Sequence, residues 1–565
     1  MRFHIKRNKR IRGDIYPDEI FLDSKNLPNF NTQQFEGRLE KAIPKYSIFF
    51  LGLFFLAVSM FFVWQVVNLQ IIKGEAYFKK SENNTLSKQP IFADRGLIYD
   101  RNNVLLSWNT WNKDDINKLT SPERSYYNAP GFGLLLGYVS VPAKDSSGFY
   151  WQDNFIGKDG VEKYFNSQLT GVNGVRITET DVNGNIQSEN IITPPKAGGD
   201  VTLSIDSRIQ KKMYDSIDSM AKNVNFQGGA GAIMDIKTGE LLALTSFPEY
   251  DGNILSQGSD SKTISGYFSD SRKVFLNRAI SGLYSPGSII KPFLGYAALF
   301  ENVISPLKTI FSNGSISIPN PYFPDKKSVF NDHGTFGNVD IRKAIAISSD
   351  VFFYEVGGGY ESQKGLGIAN IDKYADLFGI GQKTGINLSG EKDGTVPSPD
   401  WKAATFKNDP WRVGDTYNTA IGQYGFQVTP IQMVRAISGI ANMGTIYTPH
   451  VTLNDSIFST PEVVPVNQDD MKVIQEGMRM AVTEGTCTTL NLPSVLVAAK
   501  SGTAQVGLGN TNTNSWIVGF FPYDNPKYAF ALVMERGPKA ASGNATRVMS
   551  EVIDYMSVYT PEYFK

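Results

Sequence analysis

The chain has 565 residues, 41% of them hydrophobic and 19% charged, and its 55 basic and 55 acidic side chains give a formal net charge of zero. That length exceeds what one hydrophobic core serves, so two or more domains are expected. The charge balance gives no support to nucleic acid as a partner, and the apolar content is ordinary for a globular protein and argues against disorder.

Residues 1–45 form a tail carrying Arg2, Lys6, Arg7, Lys9, Arg10, Arg12, Arg38, Lys41 and Lys45. Tyr46 to Val67 follow as an uncharged apolar run, long enough to cross the hydrocarbon layer as a helix, with Tyr46 and Trp64 near its ends. The run is too long and starts too late for a removable signal, and no small-x-small site follows it. The positive-inside rule predicts a cytoplasmic tail and an extracytoplasmic chain beyond about residue 68, although Lys73, Lys79 and Lys80 follow the span. Beside a bilayer, the basic cluster reads as an anchor or lipid contact rather than a nucleic-acid arm.

Residues 68–200 read as a separate module with a charged helical stretch (GEAYFKKSENN), strand-like pieces (GLIYD, NVLLSW, GVRITET) and no catalytic constellation. Pro194 to Gly199 reads as a linker. From residue 201 the pattern predicts a strand over Val201–Ile205 and a helix capped by Ser207. Two strands, Ala230–Ile236 and Glu240–Thr245, are then joined through Lys237-Thr238-Gly239. WIVGFFP and YAFALVMERG read as two further strands, and ATRVMSEVIDYM as a closing helix. Strands at both ends with helices between them suit an α+β domain, a central antiparallel sheet flanked by helices.

The chemistry is concentrated in Ser288-Ile-Ile-Lys291. On a helix, residues three apart share a face, which sets an amine beside a hydroxyl that needs a base to become a nucleophile. Ser348-Ser349-Asp350 and Lys500-Ser501-Gly502-Thr503 follow in that order. Imitations exist. Ser389-Gly-Glu-Lys392 lies in a Gly-rich charged stretch that will not hold a helix. Lys-Thr-Gly also occurs at 237–239 and 383–385, in a hairpin turn and a loop. Ser81-Glu-Asn83 and Ser107-Trp-Asn109 fall in the N-terminal module. Ser288 instead opens an apolar helical run behind Pro286, although Pro292 removes a helical hydrogen bond. Lys500 follows VLVAA, whose small residues let a strand edge approach a peptide that adds as an extra strand.

Three motifs in this order resemble the penicillin-binding transpeptidases and serine β-lactamases. Arg95-Gly-Leu-Ile-Tyr-Asp-Arg101, Thr238-Gly-Glu-Leu-Leu-Ala243, Asn277-Arg278-Ala279 and Trp516-Ile-Val-Gly-Phe520 look like class B penicillin-binding proteins. Asp350 in the second motif and GEKDGTVPSPDWK at 390–402 look like the cell-elongation type, while Gly422-Gln-Tyr-Gly425 departs from the family's usual GQG. The resemblance implies the penicillin-binding transpeptidase fold with a helical subdomain, behind a membrane helix and an elongated pedestal. The corresponding division is a tail (1–45), a transmembrane helix (46–67), a pedestal of the dimerisation type (68–200) and a catalytic domain (201–565). It implies a serine acyl-enzyme that cross-links the D-Ala-D-Ala stem peptides of peptidoglycan, is acylated by β-lactams and needs no cofactor or metal. The implied setting is the inner membrane of a bacterium, single-pass with the N-terminus inside, beside a polytopic RodA-type glycan polymerase.

In that scheme Ser288 attacks, Lys291 is the base, Ser348 relays a proton to the leaving amine, and Asp350 orients Lys291 or Ser348. Lys500, Ser501 and Thr503, with Gly502 between them, bind the terminal carboxylate. The backbone N–H groups of Ser288 and Thr503 form the oxyanion hole. As a base Lys291 must be neutral, which burial and a nearby cation such as Lys500 favour and Asp350 opposes. A β-lactamase or D,D-carboxypeptidase is the alternative, but no Glu-x-x-x-Asn element occurs near 370–420 to activate water, and the membrane span and pedestal favour the transpeptidase. A catalytically silent β-lactam sensor or scaffold has no kinase or protease pattern in the tail to support it. Cys487 lacks a basic neighbour in the sequence and reads as a small buried residue. His333, beside Asp332, reads as a loop histidine satisfied by local hydrogen bonds rather than a metal ligand.

Overall fold

A computed structural model describes residues 45–78, 86–111, 121–146, 150–180, 186–323, 325–507, 509, 511–539 and 544–565. The basic tail up to residue 44, Lys79, Lys80 and the Ser81-Glu-Asn83 imitation lie outside them. The chain divides into two compact units, Met1–Leu86 and Ser87–Lys565. In the first, helix α1 (Lys45–Val67) continues as a short π-helix to Ile72, giving 28 residues long and apolar enough to cross a membrane. A helical turn over 74–78 follows.

The second unit contains a four-stranded sheet. Strands β1 (Ile98–Tyr99), β2 (Leu105–Thr110) and β3 (Glu123–Tyr126) pair antiparallel, and β4 (Val201–Thr202) adds parallel to β1. Ser107 and Asn109 are therefore strand residues, bonded to Ser125 O (3.0 Å) and Arg95 O (2.7 Å). The segment read as a linker is pinned. Lys196 pairs with Val172 in both directions at 2.8 Å, and Gly198 N–H donates to Asp94 O at 2.9 Å. The strand expected over Val201–Ile205 is shorter and belongs to this N-terminal sheet. Beyond it the backbone changes partner, Ser204 N–H donating to Val451 O at 2.7 Å while its hydroxyl bonds Leu241 O and His450 O.

Helix α2 (Ser207–Val224) is capped by Asp206, whose side chain accepts from Arg208 N–H. Ser207, the expected cap, is instead the first helical residue and donates its hydroxyl to Asp100 at 2.7 Å, tying the helix to the β1 end of the other sheet. Strands β5 (Gly228–Asp235) and β6 (Leu241–Phe247) form the expected hairpin. After the short 3-10 turn Gly287–Ile290 comes α3 (Lys291–Phe300), and then α4 (Ile341–Ile347) and α5 (Asp350–Gly358) of the helical part. Helices α6 (Pro430–Ala441) and α7 (Gln468–Thr483) lead to β7 (Ala498–Val506), β8 (Asn512–Phe521) and β9 (Tyr528–Pro538), and α8 (Ala545–Tyr559) closes the chain.

The central sheet is wholly antiparallel in the order β6-β5-β9-β8-β7, which leaves β7 at an edge. Side-chain alternation serves two cores. Ala230, Ala232 and Met234 of β5 face the layer of Ile431, Val434 and Ile437 from α6, whereas Ile233 joins Met213 and Ile217 of α2 and Val548 and Val552 of α8. Pro292 causes no break. The α-helix starts at Lys291, so the missing N–H falls in the first turn, where no intrahelical partner is needed.

Candidate active site

Three segments far apart in the chain meet between the sheet and the helical part. The first is the 3-10 turn carrying Ser288. Gly287 and Ile289 are buried, and Ser288 is partly exposed with no hydrogen-bond partner for its hydroxyl among the described residues. Lys291 follows at the start of α3 and is completely buried. The turn is held from below by Trp516 on β8, whose indole N–H donates to Ser285 O at 3.0 Å. Trp516 gave no chemical signal in the sequence, because its part is to fix backbone.

The second segment is the junction between α4 and α5. Ser348 ends α4 in a left-handed conformation (φ +64°), and Ser349 caps α5 by accepting from Phe352 N–H. Asp332 anchors this junction. It accepts from Ser349 Oγ at 2.8 Å and from Val351 N–H at 2.9 Å, and it pairs with His333 Nδ1 at 2.8 Å. Burial raises the Asp332 carboxyl, but these hydrogen bonds, His333 first, outweigh it and hold the group well below the usual carboxylate range. The same bond to Asp332 raises His333, and its other ring nitrogen faces Ile347 O at 3.1 Å. Ligand atoms of Asp332, His333 and Asp350 lie within 4.8 Å of one another. Asp332 is occupied by these donors, and Asp350 by Lys291.

The third segment is edge strand β7, which places Lys500 inside and Thr503 outside. Thr503 runs beside the turn that carries Ser288, so a Cβ added to Gly287 (φ +56°) would stand 3.0 Å from Thr503 O. Gly502 is buried beneath the same turn. Ser501 donates to Thr486 Oγ1 at 2.7 Å, a partner no motif announced. Cys487, next to Thr486, is fully buried, and burial raises its thiol.

The Ser348 hydroxyl is the meeting point. Lys500 Nζ donates to it at 2.9 Å and Lys291 Nζ at 3.3 Å. Lys291 Nζ also donates to Ser348 O at 2.7 Å and to Asp350 Oδ1 at 2.6 Å, while Lys500 Nζ reaches Ser501 O at 2.7 Å. Both amines are fully buried, yet only Lys291 has a carboxylate. Burial first, then repulsion from Lys291, pushes Lys500 down to about 7. The structure thus brings together Lys291, Ser348, Asp350 and Lys500 directly, and it sets Ser288 and Thr503 on backbones that touch. The Ser288 hydroxyl is not among the partners of either amine, both of which meet at Ser348 instead; a partly exposed hydroxyl on a turn that adjoins this pair of amines and an open sheet edge is suited to lysine-assisted serine acyl transfer.

Comparison with known proteins gives the family. The family profile "Penicillin binding protein transpeptidase domain" matches residues 229–554, and "Penicillin-binding Protein dimerisation domain" matches 112–203. The chain is 29% identical over 598 residues to the peptidoglycan D,D-transpeptidase MrdA of Salmonella typhimurium, covering 87% of this chain and 93% of that protein. It is similar to the crystal structure of Pseudomonas aeruginosa PBP2 in complex with WCK 5153, at 30% identity and a TM-score of 0.67, covering 83% of this chain and 96% of that one. It is also similar to a chain in a peptidoglycan synthase complex that coordinates polymerization and crosslinking, at 25% identity, a TM-score of 0.68 and coverage of 91% and 98%. The chain belongs to the penicillin-binding protein transpeptidases, and within them to the class B proteins of the PBP2 type. It is a D,D-transpeptidase of cell-wall cross-linking, and its N-terminal apolar helix fits a membrane-anchored member of that group.

Proposed function

We propose that Ser288 attacks the carbonyl of the penultimate D-alanine of a stem peptide, expels the terminal D-alanine, and passes the acyl group to an amine on a neighbouring stem. The observation that carries the assignment of roles is the Ser348 hydroxyl, held between two buried amines beside the nucleophile turn. A proton moved from Lys291 Nζ to Ser348 Oγ, as Ser348 passes its own to a neutral Lys500, leaves Lys291 neutral and able to take the Ser288 proton. Lys500 then carries the positive charge near the terminal carboxylate, which Ser501 and Thr503 hold by hydrogen bonds. Ser348 then gives its hydroxyl proton to the leaving amine and takes one from the Lys291 ammonium, which returns Lys291 to the neutral form. Asp350 orients Lys291 throughout. Tetrahedral intermediates are met by the N–H groups of Ser288 and Thr503, where losing one such donor costs about 3–4 kcal/mol. Edge strand β7 takes the donor peptide as an added strand.

The reading extends to the setting. Residues 1–45 are a cytoplasmic tail and 46–67 cross the inner membrane. Residues 68–200 are a pedestal that spaces and contacts partners, and 201–565 catalyse outside the cytoplasm. The glycan strands come from a polytopic RodA-type polymerase, a reading supported by the likeness to a chain of a peptidoglycan synthase complex. The test is incubation of the purified chain with a fluorescent penicillin, followed by peptide mass spectrometry. A long-lived adduct on Ser288, absent from Ser288→Ala, is expected. Rapid turnover, or a label on another residue, would overturn the reading.

A further inference from the structure

The loop after α-helical residues 413–420 contains a backbone oddity. Tyr424 sits at φ +61°, in the left-handed region that a bulky residue rarely adopts, and is followed by Gly425 at +83°. A glycine would hold that conformation without strain, so the ring must be retained by its surroundings. Those surroundings are a cage. Trp401 and Trp411 meet the ring edge-on at 5.7 and 5.8 Å, and Phe406 lies nearly parallel to it at 6.2 Å. Lys402 Nζ stands 5.9 Å over the ring and is itself buried, bonded to Asp415 (2.6 Å), Asp409 (2.8 Å) and Pro410 O (2.8 Å). Burial, then the Asp415 carboxylate, raises the phenol.

The other end of the same loop touches the nucleophile turn. Gly287 N–H donates to Gly422 O at 3.0 Å, and a Cβ added to Gly422 (φ +74°) would lie 2.2 Å from Gly287 O. Tyr284 and Val428 exchange two backbone hydrogen bonds at 3.0 and 2.9 Å, so the loop runs along the approach to Ser288. Two residues therefore separate a caged, strained side chain from the backbone that presents the nucleophile.

We propose that Tyr424 is a positioning residue: caged by Trp401, Phe406 and Trp411, it presses the Gly422–Gly425 loop against Gly287 and so fixes the turn that aims Ser288. The inference rests on Ser288 being the nucleophile. Its effect falls on the acylation step rather than on ligand capture, because the turn's aim, not the sheet edge, depends on it. Misplacement of a reacting group by about 1 Å can cost on the order of 100-fold in rate.

The test uses the full chain in detergent and a fluorescent penicillin, separating the binding constant from the acylation rate constant and recording thermal unfolding alongside. Wild type must first be labelled at Ser288; failure there sinks the proposed function and is distinct from failure here. Tyr424→Gly relieves the backbone strain while emptying the cage. It is expected to acylate roughly 10- to 100-fold more slowly, with the binding constant unchanged, whereas Tyr424→Phe keeps the ring and restores the rate. Tyr424→Gly acylating at the wild-type rate overturns the proposal, as does a Tyr424→Phe variant as slow as the glycine one. If Tyr424→Gly does not fold, Phe406→Ala decides, since Phe406 is 48% exposed and its loss loosens the cage only. Slower acylation there supports the inference, and an unchanged rate overturns it.

Discussion

Two buried clusters in this protein have the same composition of charge, two cations to one carboxylate, and opposite consequences. In the N-terminal lobe Arg95 and Arg124 share Glu162 at 2.6 and 2.7 Å, and all three side chains are almost fully buried. Arg95 spends its remaining donors on Thr170, Asn166 and Glu162 O, although Arg124 Nη2 has no partner among the described residues. In the candidate active site Lys291 and Lys500 lie on Ser348, and Asp350 is the carboxylate bonded to Lys291. A guanidinium stays protonated in a protein, so surplus charge in the first cluster is permanent and must be held by geometry. An ammonium can release its proton, and the surplus in the second cluster emerges as a Lys500 amine lowered to about 7. The first cluster braces a lobe, and the second holds an amine able to release its proton.

The largest effect is expected at Ser288, the proposed nucleophile on the turn that adjoins the second cluster. Ser288→Ala should lose all penicillin labelling and all cross-linking of lipid-linked strands while melting as wild type does. Next, Glu162→Gln leaves two permanent cations facing each other in a buried site. Breaking such a pair costs about 3–5 kcal/mol, to be read as a lower denaturation midpoint of the full chain. A comparable stability would mean that the arginines find other partners and that the lobe does not need its carboxylate. Lys500→Arg makes the catalytic cluster resemble the structural one by fixing its charge. Acylation is expected to fall about 10²- to 10⁴-fold with little change in fold.

Titration separates the two clusters further. The acylation rate of wild type is expected to rise through pH about 7 as Lys500 becomes neutral, and this limb vanishes in Lys500→Arg. Stability carries the same signature. Between about 7 and the ordinary lysine value near 10.4 the folded chain binds fewer protons at this site than the unfolded one. Stability therefore rises with pH across that window, with a slope approaching about 1.4 kcal/mol per pH unit, and Lys500→Met removes the slope. The smallest effect concerns His333. Its folded value is raised by Asp332, so its contribution is complete below about 6.5 and fades as pH rises through the folded value. The side chain is 50% exposed, so His333→Gln should cost only about 0.5 kcal/mol at pH 6 and nothing measurable at pH 9.

What could be read from the sequence was whatever short-range pattern encodes. The apolar run over Tyr46–Val67 set a helix long and apolar enough to cross a membrane, and alternation around Lys237-Thr238-Gly239 set the β5–β6 hairpin. The order and flanks of the Ser288, Ser348 and Lys500 motifs pointed to one site and one chemistry. What the pattern missed depended on groups distant in the chain. Lys291 meets Ser348 across 57 residues and Lys500 meets it across 152, and only that encounter, made in a dry interior, decides which amine lies lowest. Asp206 displaced Ser207 as the cap because Asp100, 107 positions away, captured the serine hydroxyl. The Pro194–Gly199 stretch has a linker's composition, yet backbone hydrogen bonds to Val172 and Asp94 fix it. Local propensity is settled by a residue and its neighbours within a turn or a strand. Burial, charge coupling and the strain at Tyr424 are settled by what folding packs against them, which a linear order of residues does not contain.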